Sequence, residues 1–141
     1  MQYYVYVVEL DNQNFNPPKK FREQNPHIWN DSGEKVVTGN PAMFYVGQSA
    51  HEPECRVLQH KHCFGANIEH SCVCGMVCAC CDNEHVIRKN VSNSWVRKHG
   101  LWLRKRIFTK YNPIETRDKS LEIEQDLACE LRSRGFAAYF R

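Results

Sequence analysis

Four sets of side chains in this sequence are of types and spacings that do chemistry. Glu124 stands within a helical run whose Leu121, Leu127, Ala128 and Leu131 gather on one face at about 100° per residue, with Glu122, Asp126 and Glu130 opposite. A carboxylate set in an apolar stripe is expensive to ionise unless a cation or strong donors receive it. Glu124 is therefore a candidate ligand for an oxygen-seeking divalent cation such as Mg²⁺ or Mn²⁺, the plainer alternative being a buried pair with a basic side chain. Arg56 and His60 stand at i and i+4 and so share a helix face, where a guanidinium fork clamps anions and an imidazole donates or shuttles a proton. Tyr6 and Tyr45 lie in two strand-like runs, where the ordinary expectation is a pair of core tyrosines.

The fourth set is the thiols. The chain has eight cysteines, six of them between Cys63 and Cys81, and clustered thiols in a reducing compartment more often hold a metal than staple a fold. Cys72, Cys74, Cys78 and Cys81 form the favoured tetrahedral set for one structural Zn²⁺, with Cys63, Cys80, His70 and His85 as substitutes; free thiols in a loop are the alternative, a disulfide set the remoter one.

These residues need a frame, and the chain length of 141 residues suits one domain. Hydrophobic residues at 42% and charged residues at 25% are ordinary globular usage, which points to neither disorder nor a fibrous repeat. The opening MQYYVYVVEL lacks the basic region and apolar run of a signal peptide, and no segment reaches the apolar length of a membrane span. A cytoplasmic protein without membrane contact is the expectation.

Tyr3 to Leu10 reads as a first strand, Ala42 to Gly47 as a second and Leu101 to Phe108 as a third. Between the first two, Asp11 to Pro41 reads as a long excursion rich in Pro and Gly, with a short hairpin around Trp29 and the Val36-Val37 pair. Pro53 opens a helix running to about Lys61, and Asn93-Ser94 caps a short one through Arg97. The last helix runs from Asp118 or Lys119 to Arg134 and stops at Gly135, after which Phe136 to Phe140 adds a short strand or packs as a tail.

The net charge of +3 is small, but it is segregated: between His85 and Ile114 stand Arg88, Lys89, Arg97, Lys98, Arg104, Lys105, Arg106 and Lys110 with no acid among them. That run is either a solvated face or a strip that contacts the phosphates of DNA or RNA.

Taken in order, Tyr4-Val5-Tyr6, Tyr45-Val46-Gly47, the stretch GQSAHEPECRVLQH and the tail with its Glu-x-x-Leu at Glu124 to Leu127 resemble the GIY-YIG nuclease superfamily, in its bacterial and phage-like single-domain branch. The likeness covers roughly residues 2–10, 42–62 and 94–140. Two departures stand out: Tyr4 occupies the place of the motif's glycine, and the Asn that many members carry beyond the Glu is absent near Phe136.

The resemblance implies an α+β fold, a small, mainly antiparallel three-stranded sheet flanked by helices, as one domain over 1–141 with insertions at about 11–41 and 63–92. It implies a metal-dependent endonuclease hydrolysing phosphodiester bonds in DNA, with Tyr6, Tyr45, Arg56, His60 and Glu124 catalytic. Tyr6 would activate or orient the water, Arg56 would clamp the scissile phosphate and Glu124 would hold Mg²⁺ or Mn²⁺. Gln48, Arg97, Lys98, Arg104, Lys105 and Arg106 are the expected nucleic-acid contacts. A homodimer stays open. The rival is a zinc-organised nucleic-acid-binding module without catalysis.

Overall fold

The run Tyr4–Leu10 is aromatic and β-branched almost throughout and forms a strand, β1, buried on both faces. Its antiparallel partner is β2, Met43–Ser49, in register from Tyr4 opposite Ser49 to Leu10 opposite Met43. The computed structural model describes residues 2–50, 52–54, 57 and 94–141. Across the other edge of β1 lies β3, Gly100–Leu103, also antiparallel, with a break in register between Glu9 and Leu10.

Two expectations are corrected here. The sheet is mixed and four-stranded, in the order β3-β1-β2-β4, because Ala137–Phe140 forms a strand, β4, parallel to β2. Two alanines make a weak strand signal, and a parallel partner is set by the helix that carries the chain back, not by any residue in the strand itself. The third strand also ends early. Arg104 leaves extended geometry at φ −94 and ψ 70, and Lys105–Phe108 turns into a short helix. Three consecutive cations cannot alternate in and out of a sheet, whereas a helical turn exposes Lys105 and Arg106 and buries Phe108.

In chain order the described helices are α1 (Lys19–Glu23), α2 (Ser94–His99), α3 (Lys105–Phe108) and α4 (Arg117–Ser133). Pro53, Glu54 and Val57 are helical as well. α4 starts at Arg117, one or two residues earlier than expected, since Thr116 caps it by accepting the Lys119 N–H at 3.1 Å. The helix ends at Ser133, one residue short of the expected Arg134, and Gly135 beyond the cap takes φ +91, where a side chain would be strained.

The excursion over 11–41 is part of the core. Phe15, Phe21, Ile28 and Trp29 are buried, and edge-to-face contacts link Phe21 to Phe15, Trp29 and Trp95. It also closes the open edge of β4. Asn25 Oδ1 accepts the Ala138 N–H at 2.8 Å, Gln24 Oε1 accepts the Phe140 N–H at 3.1 Å, and Gln24 Nε2 donates to the Phe140 carbonyl at 2.8 Å. Side-chain amides thus stand in for a fifth strand and leave no bare ladder there. The expected hairpin appears as a bridge between Trp29 and Lys35, with Val36 and Val37 exposed.

Candidate active site

Residues paired across antiparallel strands share a face, so Tyr6 lies beside Gly47 and next to Tyr45. The two rings sit 6.3 Å apart between centroids, tilted by 36°, and both tyrosines are buried. The Tyr6 ring lies across the backbone of Gly47. A Cβ there would collide with Cζ and the hydroxyl of Tyr6 and come within 2.8 Å of Cε1. The glycine of the Tyr45-Val46-Gly47 motif is therefore needed for close approach, and the tyrosine hydroxyl is delivered to the end of β2.

The helix α4 meets the same strand end from the other side of the sheet. Ser120 Oγ, completely buried, donates to Gln48 Oε1 at 3.2 Å, and Gln48 alternates in direction with Gly47. Glu124 follows Ser120 by one turn on the same face and is 3% exposed. The buried stripe of α4 is Ser120, Glu124, Leu127, Ala128 and Leu131, with Leu121 half-buried at its margin, so Glu124 sits in the stripe itself.

Burial pushes the Glu124 carboxyl up to about 7, against the opposing pull of the Arg141 backbone N–H and the Arg117 charge. Arg141 directly follows Phe140, the β4 residue paired with Val46. Near the end of β2 the two faces of the sheet are thus lined differently: the Tyr6 ring lies over Gly47 on one, while Gln48, Ser120 and the face of α4 that carries Glu124 lie on the other.

Arg56 and His60 lie outside the described residues, as do Cys63, His70, Cys72, Cys74, Cys78, Cys80, Cys81, His85, Arg88 and Lys89. The helix that would carry Arg56 begins at Pro53, which is buried, and Glu54 Oε1 pairs with Lys105 Nζ at 2.9 Å. Among the described residues no three His, Cys, Asp or Glu side chains gather into a metal-holding group.

Of the expected phosphate contacts, two carry acidic partners. Arg104 pairs with Glu9, with its guanidinium 5.9 Å from the Phe44 ring centre, and Lys105 pairs with Glu54. Lys98 and Arg106 are exposed. Reading the sequence missed Ser120 and Arg117. Ser120 was open to inference, since it lies at i−4 from Glu124 and must share its face.

Comparison with protein-family models, with curated proteins and with solved structures finds no match to this chain. Among the described residues no helix is long and apolar enough to cross a membrane.

Proposed function

We propose that this chain is a metal-dependent endonuclease of the GIY-YIG type, hydrolysing phosphodiester bonds in DNA. The observation that supports the reading best is the buried, under-compensated carboxyl of Glu124 on α4, one turn from the Ser120 that donates to Gln48 near the end of β2.

Glu124 fits a cation ligand because its charge is under-compensated: one backbone N–H and the Arg117 field offset burial only in part. Mg²⁺ or Mn²⁺ held there supplies charge stabilisation to the phosphate and a more acidic water. In this reading Tyr6 orients the attacking water and accepts its proton, Tyr45 hydrogen-bonds beside it, and Gln48 touches the substrate. Arg56 clamps the phosphate and provides the positive charge that a tyrosine needs to act as a base, while His60 hydrogen-bonds the phosphate or carries the proton. A cytoplasmic location belongs to the same reading, and so does one structural Zn²⁺ on Cys72, Cys74, Cys78 and Cys81, apart from the chemistry.

Purified protein should nick supercoiled plasmid with Mg²⁺ or Mn²⁺ and not with EDTA. Glu124→Gln should lower the rate by roughly a hundredfold or more while circular dichroism and DNA affinity hold. Full activity in that variant would remove Glu124 from the mechanism. A wild type that binds DNA yet cuts nothing with any divalent metal would leave the binding-module reading in place. The zinc assignment is separately testable. Protein purified without added metal should contain about one zinc by elemental analysis. Replacing Cys72 and Cys74 by Ser should lower zinc content and melting temperature ahead of any loss of cleavage chemistry, and eight freely titrating thiols in native protein would refute the site.

A further inference from the structure

The sheet edge away from β4 is β3, and it carries Leu101 and Trp102, 43% and 54% exposed. Trp102 is the one aromatic among the exposed large hydrophobic side chains of the described residues; Trp29 is buried and Trp95 packs on Tyr139 at 4.7 Å. An indole held in the open on a rigid strand loses apolar burial that a partner would restore. Trp102 pairs with Glu9 on β1, so its backbone is fixed by the sheet and not by a loop.

The charge around it selects the partner. From Ser94 to Tyr111 the chain has no acid; Glu9 pairs with Arg104, Glu54 with Lys105, and Glu130, itself paired with Arg134, lines the cleft beside Arg106 and Lys110. Lys98 precedes Trp102, Arg106 and Lys110 follow it, and all three are exposed. A second copy of the chain, docking edge to edge through β3, would bring these cations against their own kind. A polyanion that also offers flat π-faces satisfies both the cations and the indole.

We infer that Trp102 is a stacking platform for an unpaired nucleobase, with the flanking phosphates of the same strand on Lys98, Arg106 and Lys110. A base inside a duplex has both faces occupied, so the surface fits a single strand, a gap or a splayed end. The assignment deepens the nuclease reading by naming the substrate's structure, but it requires binding and not cleavage.

The test is a titration in EDTA with oligo(dT) of about 15 nucleotides, set against a duplex of the same length. Single strand should quench the red-shifted part of the tryptophan emission, and Trp102→Phe should abolish that quenching because the other two indoles are sheltered. Trp102→Ala should weaken single-strand binding by about five- to a hundredfold, with duplex binding much less affected and the salt slope unchanged, since no charge is removed. Wild-type affinity in Trp102→Ala, or equal loss on both probes, overturns the assignment. So does a wild-type dimer in light scattering that Trp102→Ala converts to monomer, because β3 would then be a contact between copies. Protein that binds and is quenched but cuts nothing in Mg²⁺ sinks the nuclease reading alone; protein that cuts while Trp102 stays silent sinks this one alone.

Discussion

At the scale of single residues, Glu124 is where burial and chemistry conflict most. Its native carboxyl loses its proton near 7, whereas in the unfolded chain it does so near the ordinary 4.5. Below 4.5 both states hold the proton and the group is neutral in the balance. As pH rises from there to about 7 the unfolded chain gives up its proton first, so the native state loses stability, and above 7 the loss is complete. The full amount is on the order of 3 kcal/mol. Asp11, held down by the Asn14 amide, moves the other way; so does Glu54, where burial is outweighed only by the Lys105 pair and a backbone N–H together. The measurement is therefore a difference: the melting temperature of metal-free wild type minus that of Glu124→Gln should fall through this window, and saturating Mn²⁺ should cancel the fall. A flat difference would mean that Glu124 is already compensated in the apo protein. Binding of Mn²⁺ should tighten over the same range, because the proton and the cation compete for one carboxylate.

At the scale of elements, the informative contact is between two strands. Gly47 exists to let the Tyr6 ring lie on the backbone of β2, so Gly47→Ala should cost about 1 to 3 kcal/mol by overpacking and should displace the hydroxyl from the strand end. Tyr6→Leu removes the ring atoms that an alanine Cβ would strike. In a denaturation series the double variant should be more stable than the two single losses predict, by about 1 kcal/mol or more, while cleavage stays absent. Strict additivity would show that the ring and the glycine do not touch. Much of this level was legible in the sequence. Strands β1 and β2 announce themselves by aromatic and β-branched content, and α4 by its period, its capping and Gly135. What stayed hidden depends on distant partners. β4 is a strand because α4 returns the chain alongside β2, and Gln24 and Asn25 become edge caps only once β4 is there to receive them. No local pattern in a polar, Pro-containing stretch marks that role.

At the scale of the whole molecule, a net charge of +3 says little, and the arrangement of charge says more. Read along the chain, Arg104 and Lys105 look equivalent to Lys98 and Arg106 as phosphate contacts. Folding separates them, because it brings Glu9 to Arg104 and Glu54 to Lys105, from remote parts of the sequence. Removing a cation that already has an acidic partner leaves that acid bare, so it subtracts attraction and adds repulsion; removing an exposed one without such a pair only subtracts a phosphate contact. Among the described residues neither Lys98 nor Arg106 stands within ion-pair distance of an acid. In a plot of log affinity for DNA against log salt, Lys98→Ala and Arg106→Ala should each flatten the slope by about one counterion. Arg104→Ala and Lys105→Ala should change the slope less but lower melting temperature, whereas pairing them with Glu9→Gln and Glu54→Gln should restore most of the affinity. Equal slope changes in all four single variants would mean that the ion pairs open when DNA binds, and that the strip acts as one continuous cationic face.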